Sequence, residues 1–432
     1  MPRSLRLIES TIISISNEIG CQWGDADPGA TPITVLSNNE LKTLLSEVDA
    51  STPEGRIVRI LSERGATSAA DVARATGLAR STISLALAEL RRARVVVEST
   101  PPDGARGVGR PAATFALNPE AGTCVGLHLA RTEIRLLVAD VSHSVIFENT
   151  IPLGRDYSPA VAASAARRMV RDVYERRGLS LRTLLGVGIA VSGPVAPDGR
   201  IQRASIVPIW AGVNVREIFE PALQRPIFAD NESNCAAIAE MTWGAAVGCQ
   251  DFVLFKVDVG VGGAIVSHGR VLTGIAGAGG EFGHMTIDPE GDLCRCGNRG
   301  CLELTASLNP ALEIVARLLG RAVTIDELIA MAKAGDVGCA RLIADAAEIA
   351  GRGLGMIGAI LNPGLIVLGG RGALAGPLLI DPLTASYERH TLIKRQDVPE
   401  SQRVRFVVGR FTQNDSLMGA VALVLRRHGR VA

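Results

Sequence analysis

The sequence predicts an α/β protein in which a large body of alternating strands and helices follows a small, arginine-rich helical module. From Gly122 onward, segments with period-two apolar alternation are interleaved with helical segments, an order that is typical of α/β folds. The length of 432 residues suggests two or three domains. Hydrophobic residues make up 47% of the chain, enough for a packed core, and the net charge of +1 favours no class of partner.

From the sequence we expect neither a membrane span nor a secretory leader. No apolar run reaches the ~18 residues that a membrane helix needs, and the N-terminal segment MPRSLRLIESTIISIS lacks a long apolar core. Eight cysteines in a chain of this size do not form a disulfide framework. We therefore expect a cytoplasmic protein. Residues 1–50 have no sustained period and are expected to form a partly disordered extension without an assigned function.

Residues 51–119 are predicted to form a module of three helices and a β-hairpin. The first helix is expected to end at Gly65, and Ser68 with Asp71 predicts the reciprocal cap of the second helix. Gly77 permits a sharp turn into the third helix. The apolar contacts of the third helix are expected to come from Ile83, Leu85, Leu87 and Leu90.

The turn and third helix of this module resemble the winged helix-turn-helix of bacterial regulators. The segment TGLARSTIS matches the usual pattern TGLSxSTVS, except that Ala79 replaces a capping serine at a cost of about 1 kcal/mol. Ten arginines and six acidic residues give residues 51–118 a balance of +4, which suits DNA phosphates. A solvated basic face is the alternative. The residues expected to contact DNA are Arg80, Ser81, Thr82, Ser84, Arg106 and Arg110.

The body, residues 122–432, carries five motifs in order: GVGIAVSGPV, DNESNCAAIAE, EFGHMTI, CRCGNRGC and LIVLGGRG. This series resembles the ROK family of sugar kinases and sugar-responsive repressors. The resemblance implies a two-lobed, actin-like body of the sugar-kinase type, divided near residue 230. The spacing of one histidine from CxCGxxGC is far more specific than any single glycine motif.

One histidine and three cysteines lie close together in the segment GEFGHMTIDPEGDLCRCGNRGCLE. The resemblance implies that His284, Cys294, Cys296 and Cys301 bind one zinc ion. Three thiolates and one imidazole complete a tetrahedral shell without a position for a reactive water, so we expect a structural metal. Another thiophilic ion would fit the same ligands, and unrelated buried thiols are the alternative interpretation.

The same resemblance implies a sugar site next to the metal. The residues expected to bind the sugar are Asn231, Glu232, Glu281, His284 and Glu303. Carboxylates suit a polyol, because each accepts charge-assisted hydrogen bonds from adjacent hydroxyls. A loop that is fixed by a metal should also fix the two glutamates that flank its ligands.

The residues that kinases of this family use for phosphoryl transfer are altered here. An aspartate of the kinases removes a proton from the sugar at the position of Glu232, whose additional methylene moves the carboxylate by about 1.5 Å. The kinase motif DxGGT is matched by HLART, residues 128–132, and a second phosphate loop begins with Asp258 instead of glycine. We therefore expect no catalytic residues and no kinase activity.

The sequence thus predicts a transcriptional regulator whose affinity for operator DNA changes when a monosaccharide or its derivative binds. The resemblance favours a repressor over an activator. A palindromic operator requires two-fold symmetry, so a homodimer or homotetramer is expected. An ATP-dependent sugar kinase with an appended DNA-binding module is the alternative. A third possibility is a DNA-binding protein whose body serves only for oligomerisation.

Overall fold

A computed structural model of the protein describes residues 52–99, 113–155, 157–202 and 208–427. The predicted N-terminal extension and the hairpin tip, with Arg106 and Arg110, lie outside these residues. None of the helices in the described ranges has the length and apolar character needed to cross a membrane.

The N-terminal module consists of three helices and a three-stranded antiparallel sheet in the order β1-β3-β2. The strands β2 and β3 pair from Val96–Leu117 to Ser99–Thr114, which confirms the two strands of the predicted hairpin. The elements are α1 (Pro53–Arg64), β1 (Thr67–Ser68), α2 (Ala69–Thr76), α3 (Arg80–Arg92), β2 (Val96–Ser99) and β3 (Thr114–Leu117).

The start of α2 differs in one detail from the predicted capping box. The Ser68 hydroxyl accepts a hydrogen bond from the Asp71 amide at 3.2 Å, as predicted. The Asp71 carboxylate, however, accepts from the Ser68 hydroxyl and pairs with Arg74. Local side-chain partners therefore replace the backbone amide in the second half of the box. At α3, Ala79 provides no side-chain cap, as the sequence indicates.

One core prediction for α3 is wrong. The side chain of Leu85 is 73% exposed, whereas Ile83 and Leu87 are buried. A residue two positions from each of them lies on the opposite face of a helix with 3.6 residues per turn. The described core of α3 consists of Ile83, Ala86, Leu87 and Leu90.

The first half of the body contains a five-stranded sheet in the order β6-β5-β4-β7-β8. β7 is parallel to both β4 and β8, with Leu129 paired to Val191 and Val191 paired to Asn231. The carboxyl ends of these three strands therefore meet at one edge of the sheet. The elements are β4 (Thr123–Leu129), β5 (Glu133–Asp140), β6 (Val145–Pro152), α4 (Pro159–Arg177), β7 (Leu184–Val191), α5 (Val215–Leu223) and β8 (Ile227–Asn231).

The second half contains another five-stranded sheet, in the order β11-β10-β9-β12-β13, with helices α7 to α11. β12 is parallel to its neighbours β9 and β13, whereas β10 is antiparallel to β9. The elements are α6 (Glu232–Trp243), β9 (Phe252–Val257), β10 (Val261–Ser267), β11 (Arg270–Val271), α7 (Glu303–Ala306), α8 (Asn309–Leu319), α9 (Ile325–Lys333), α10 (Val337–Leu361), β12 (Leu365–Gly369), α11 (Pro377–His390), β13 (Arg405–Val408) and α12 (Asp415–Arg427).

Two buried helices, α6 and α12, pack against each other and join the halves of the body. α12 also contacts β4 and β7. A Cβ atom at Gly419 of α12 would lie 1.8 Å from the carbonyl oxygen of Cys235 in α6. Glycine at this position therefore permits the close approach of the two helices. Ten residues of α6 are buried, so this helix is held on all sides.

Candidate functional site

The site begins where β8 passes into α6. The Asn231 carbonyl oxygen of the side chain caps α6 by accepting from the Ser233 amide at 2.7 Å. Its side-chain nitrogen donates to the Gly193 carbonyl at 3.0 Å and to Glu281 Oε1 at 3.2 Å. Asn231 thus connects the edge of the first sheet to the loop that follows β11 of the second sheet.

Glu232, the first residue of α6, is held from the two neighbouring strands. Its Oε2 atom lies 2.6 Å from His128 Nε2 and accepts from the Ser192 hydroxyl at 2.9 Å. Burial opposes ionisation, but the bond to His128 and its charge, the charge of Lys256 and the Ser192 hydroxyl lower the pKa of Glu232 to about 2. Glu232 is therefore a carboxylate at neutral pH and only accepts hydrogen bonds.

Lys256 balances part of the negative charge in this region. Its Nζ atom lies 2.9 Å from Asp415 Oδ2 and donates to the Ser416 hydroxyl at 3.3 Å. Burial alone would favour the neutral amine, yet the charges of Asp415 and Glu232 raise the pKa of Lys256. The lysine therefore remains a cation beneath the site and links β9 to the start of α12.

The predicted metal ligands converge in space. One ligand atom from each of His284, Cys294, Cys296 and Cys301 lies within 4.8 Å of all the others. The Cys296 and Cys301 sulfurs are 3.6 Å apart. Two thiolates at about 2.3 Å from one tetrahedral ion are about 3.8 Å apart, so the residues fit a metal site.

The two nitrogen atoms of His284 face different partners. Nδ1 lies 3.7 Å from the Cys294 sulfur, whereas Nε2 lies 4.0 Å from Glu281 Oε2. One ring can therefore bind the metal through Nδ1 and present Nε2 to the sugar-site carboxylates. This geometry allows both roles that the sequence predicts for His284.

Glu281 and Glu303 complete an acidic cluster. Glu303 accepts from the Val261 amide at 3.4 Å and pairs with Arg295 at 2.8 Å. Burial, together with the charges of Glu232 and Glu303, raises the pKa of Glu281 to about 7. The close approach of the loop that carries Glu281 to β10 depends on Gly283, because a Cβ atom there would lie 2.3 Å from the Val261 carbonyl oxygen. The five predicted sugar-site residues thus lie together in one acidic, partly buried cluster.

An ion pair joins Asp258, just after β9, to Arg371, just after β12. Arg371 Nη2 lies 2.9 Å from Asp258 Oδ1, and the Arg371 amide donates to Asp258 Oδ2 at 2.9 Å. The bonds to Arg371 outweigh burial and lower the pKa of Asp258. The Asp258 carboxylate therefore accepts a hydrogen bond from the Arg371 backbone amide, and backbone amides are the kind of donor that phosphate sites use. Gly370, with φ of +76°, forms the turn before it.

The far end of α6 contacts the N-terminal module. Trp243 Nε1 donates to the Ser62 carbonyl of α1 at 3.2 Å. The rings of Trp243 and His143 lie 4.0 Å apart, and Trp243 belongs to the same buried cluster as Ile57 and Leu61. Glu232 and Trp243 are the first and last residues of one helix.

The exposed face of α3 carries most of the predicted DNA contacts. Arg80, Ser81 and Ser84 are exposed, and Thr82 is half-buried. The Ser84 hydroxyl donates to the Arg80 carbonyl at 3.0 Å, so it presents acceptor lone pairs outward. Leu85 shares this face, which the sequence analysis missed. A leucine there can contact a thymine methyl in the major groove.

Comparisons with known proteins identify the body. The profile described as "ROK family" matches residues 124–427. The chain belongs to the ROK family. Among curated proteins, the xylose repressor of Caldicellulosiruptor bescii is 26% identical over 373 residues, covering 82% of this chain and 90% of that protein. The Escherichia coli DNA-binding transcriptional repressor Mlc is 26% identical over 381 residues, covering 85% of this chain and 92% of Mlc.

Solved ROK structures share the fold. A ROK family transcriptional regulator described as a homologue of E. coli Mlc has a TM-score of 0.68 at 22% identity and covers 90% of this chain and 97% of its own. A ROK hexokinase from Thermus thermophilus has a TM-score of 0.56 at 31% identity and covers 70% of this chain and 97% of its own. The regulator therefore matches a larger part of this chain than the kinase does.

Sequence reasoning missed three residues that contact the site or its surroundings. His128 and Ser192 bind Glu232, and Trp243 connects α6 to α1. The replacement of the kinase motif at residues 128–132 was the available signal for His128. The Ser192 and Trp243 contacts depend on tertiary structure and have no local signature. Trp210 lies in the core, where its ring is buried and its Nε1–H donates to the Tyr157 carbonyl at 3.0 Å.

Proposed function

We propose that this protein is a transcriptional repressor whose affinity for operator DNA changes when a monosaccharide or a close derivative binds. Its named relatives include xylose repressors and the repressor Mlc. The observation that carries the proposal is that one buried helix, α6, begins at the acidic cluster and ends on the N-terminal module.

The pocket supports sugar as the effector because it presents several acceptors on both halves of the body. Asn231 and Glu232 follow the first sheet, whereas Glu281 and Glu303 follow strands of the second. A polyol that binds both sets would change the separation of the two halves. α6 would carry that change to α1 through Trp243, with a coupling of about 1–3 kcal/mol. The two-lobed division near residue 230 is part of this proposal.

We propose zinc as the ion that His284 and the three cysteines hold. Their donor set suits a closed structural site, so zinc would fix the loop and supply no reactive water. The loop carries Glu281 at its start and Glu303 at its end, and the metal would keep both carboxylates in the pocket. The cytoplasm is the compartment that a DNA-binding repressor requires.

Phosphoryl transfer fits this site poorly. The lowered pKa of Glu232 makes this carboxylate a weak base, and Asp258 is bonded to the Arg371 amide. A general base works best when its pKa lies near the operating pH, and a triphosphate needs free amides and positive charge. Because the chain shares the fold of ROK kinases, a sugar kinase is the alternative function. For this reason the same sugars are also assayed with ATP.

The proposal is tested with the full chain and an operator selected from random duplexes. Fluorescence anisotropy measures operator affinity with D-xylose, D-glucose or N-acetyl-D-glucosamine, at fixed salt. We expect one of these sugars, or a relative of it, to change the affinity by about 5–150-fold. A coupled assay with ATP should detect no sugar phosphate. If the protein forms a sugar phosphate and Glu232→Gln abolishes this activity, the protein is a kinase. If none of the sugars changes DNA binding, oligomerisation remains as the role of the body.

Substitution of Arg80 tests the proposed DNA face. We expect Arg80→Ala to weaken specific operator binding by about 10–100-fold, because an arginine at the start of a recognition helix binds a guanine edge. Binding to random duplex DNA should fall much less. Arg171→Ala, which removes an exposed arginine from the body, is the control for net charge. Equal losses on both DNAs would make Arg80 a phosphate contact.

The pH dependence of stability tests the contact between the N-terminal module and the body. Burial lowers the pKa of His143 from its ordinary 6.5 to about 4. The unfolded state therefore takes up a proton between these values that the folded state excludes, so stability is retained above pH 6.5 and falls as the pH drops. We expect a loss of about 2 kcal/mol from pH 7.5 to pH 5.

Urea unfolding at the two pH values measures this loss. His143→Asn is the control, because asparagine tolerates the left-handed φ of +76° at this position and does not titrate. The variant should lose about 2 kcal/mol less than the unsubstituted protein over the same range. An equal loss in both proteins would show that another group is responsible.

A further inference from the structure

Three adjacent strands bring one side chain each to the same carboxylate. His128 lies near the carboxyl end of β4, Ser192 follows β7, and Glu232 follows β8. The parallel register aligns His128 with Ala190 and Val191 with Asn231. The contact between His128 and Glu232 therefore results from strand order, and it joins residues 104 positions apart.

Both contacts converge on one oxygen of Glu232. His128 Nε2 lies 2.6 Å from Oε2, and the Ser192 hydroxyl donates to the same oxygen at 2.9 Å. Since a carboxylate only accepts, the His128 Nε2 atom is the donor. The side chain of His128 is 12% exposed, whereas that of Glu232 is 29% exposed. The histidine thus lies behind the carboxylate, and the glutamate faces the pocket.

We propose that His128 and Ser192 are positioning residues that hold Glu232 by Oε2 so that Oε1 accepts a free hydroxyl of the effector. This inference rests on the proposed sugar-binding function and specifies the class of ligand. The sugar hydroxyl that faces Glu232 must be present as a donor. It must also be unphosphorylated, because a phosphate there would lie against an ionised carboxylate. The effector is therefore a sugar with a free hydroxyl at that position.

The neighbouring charges support this ligand class. The pocket contains Glu281 and Glu303 in addition to Glu232, and Arg295 already pairs with Glu303. Lys256 pairs with Asp415. Both of these cations are therefore engaged by carboxylates. A neutral sugar gains hydrogen bonds in such a pocket, whereas an anion meets repulsion.

The experiment compares two substitutions of His128 in the full, metal-loaded protein. His128→Gln keeps an N–H donor near the position of Nε2, and His128→Leu removes it. Calorimetry measures binding of D-xylose, D-glucose and N-acetyl-D-glucosamine, followed by the monodeoxy and monophosphate derivatives of the sugar that binds. We expect His128→Leu to weaken binding by about 10–100-fold and His128→Gln by no more than about threefold, since the lost bond is charge-assisted.

The deoxy sugars separate positioning from a general structural effect. One deoxy derivative should bind the unsubstituted protein about tenfold more weakly than its parent sugar, yet lose nothing further in His128→Leu, because the hydroxyl and the positioned carboxylate form one interaction. Phosphate on the same hydroxyl should abolish binding. If His128→Leu does not fold, Ser192→Ala takes its place as a smaller change. This variant should show the same pattern with a smaller loss of affinity.

Equal losses in His128→Leu and His128→Gln, or additive losses with every deoxy sugar, would overturn the positioning role. Tighter binding of the phosphorylated sugar would overturn the ligand class and leave the proposed repressor function standing. If the unsubstituted protein binds none of the three sugars or their derivatives, the proposed function fails and this inference fails with it.

Discussion

Replacing Cys296 with serine is expected to release the metal and to weaken sugar binding by about 100-fold, the upper end of the effect of altering a metal site's surroundings. The Cys296 sulfur lies 3.6 Å from that of Cys301, but the residue itself is exposed. The substitution therefore creates no buried void and acts through the metal. Without the ion, His284 and the loop from Glu281 to Glu303 lose their common anchor.

Metal content by mass spectrometry and sugar affinity by calorimetry check this prediction together. Cys249→Ser is the matched control, because this half-buried cysteine lies outside the metal cluster and donates to the Asp251 carbonyl. The control protein should keep both its metal and its sugar affinity. A metal-free Cys296→Ser protein that binds sugar normally would contradict the proposed role of the metal in holding the loop.

The parts of the site that the sequence predicted have short-range causes. The metal ligands lie between residues 284 and 301, and the helix caps depend on neighbours three residues apart. Their chemistry is therefore visible in the spacing of a single segment. The same holds for the two hairpin strands, which lie close together in the sequence.

The parts that the sequence did not predict depend on strand order and helix packing. Ser62 and Trp243 are 181 residues apart, and no local pattern indicates that a helix of the N-terminal module lies beside α6. The error at Leu85 has a different cause. Apolar residues at 83, 85 and 87 were all assigned to the core, although a helix places the middle one on the opposite face.

Trp243→Phe is expected to reduce or abolish the effect of sugar on operator affinity while leaving sugar binding intact. The phenyl ring keeps an apolar contact with His143, but it removes the Nε1–H donor to the Ser62 carbonyl. The lost hydrogen bond should lower the free energy of unfolding by about 1 kcal/mol. Trp243→Ala should remove the coupling entirely and lower stability by about 3–5 kcal/mol, because it leaves a cavity between α1 and α6.

Trp210→Phe distinguishes coupling from a general loss of packing. Trp210 is also buried, and its Nε1 donates to the Tyr157 carbonyl at 3.0 Å, in a different hydrophobic cluster from the one that contains α1. The two substitutions remove the same donor from the same kind of side chain, so their effects on stability should be similar. Anisotropy titrations of operator DNA, with and without saturating sugar, should show full coupling in Trp210→Phe and weakened coupling in Trp243→Phe. If both variants respond to sugar as the unsubstituted protein does, the signal does not pass from α6 to α1 through Trp243.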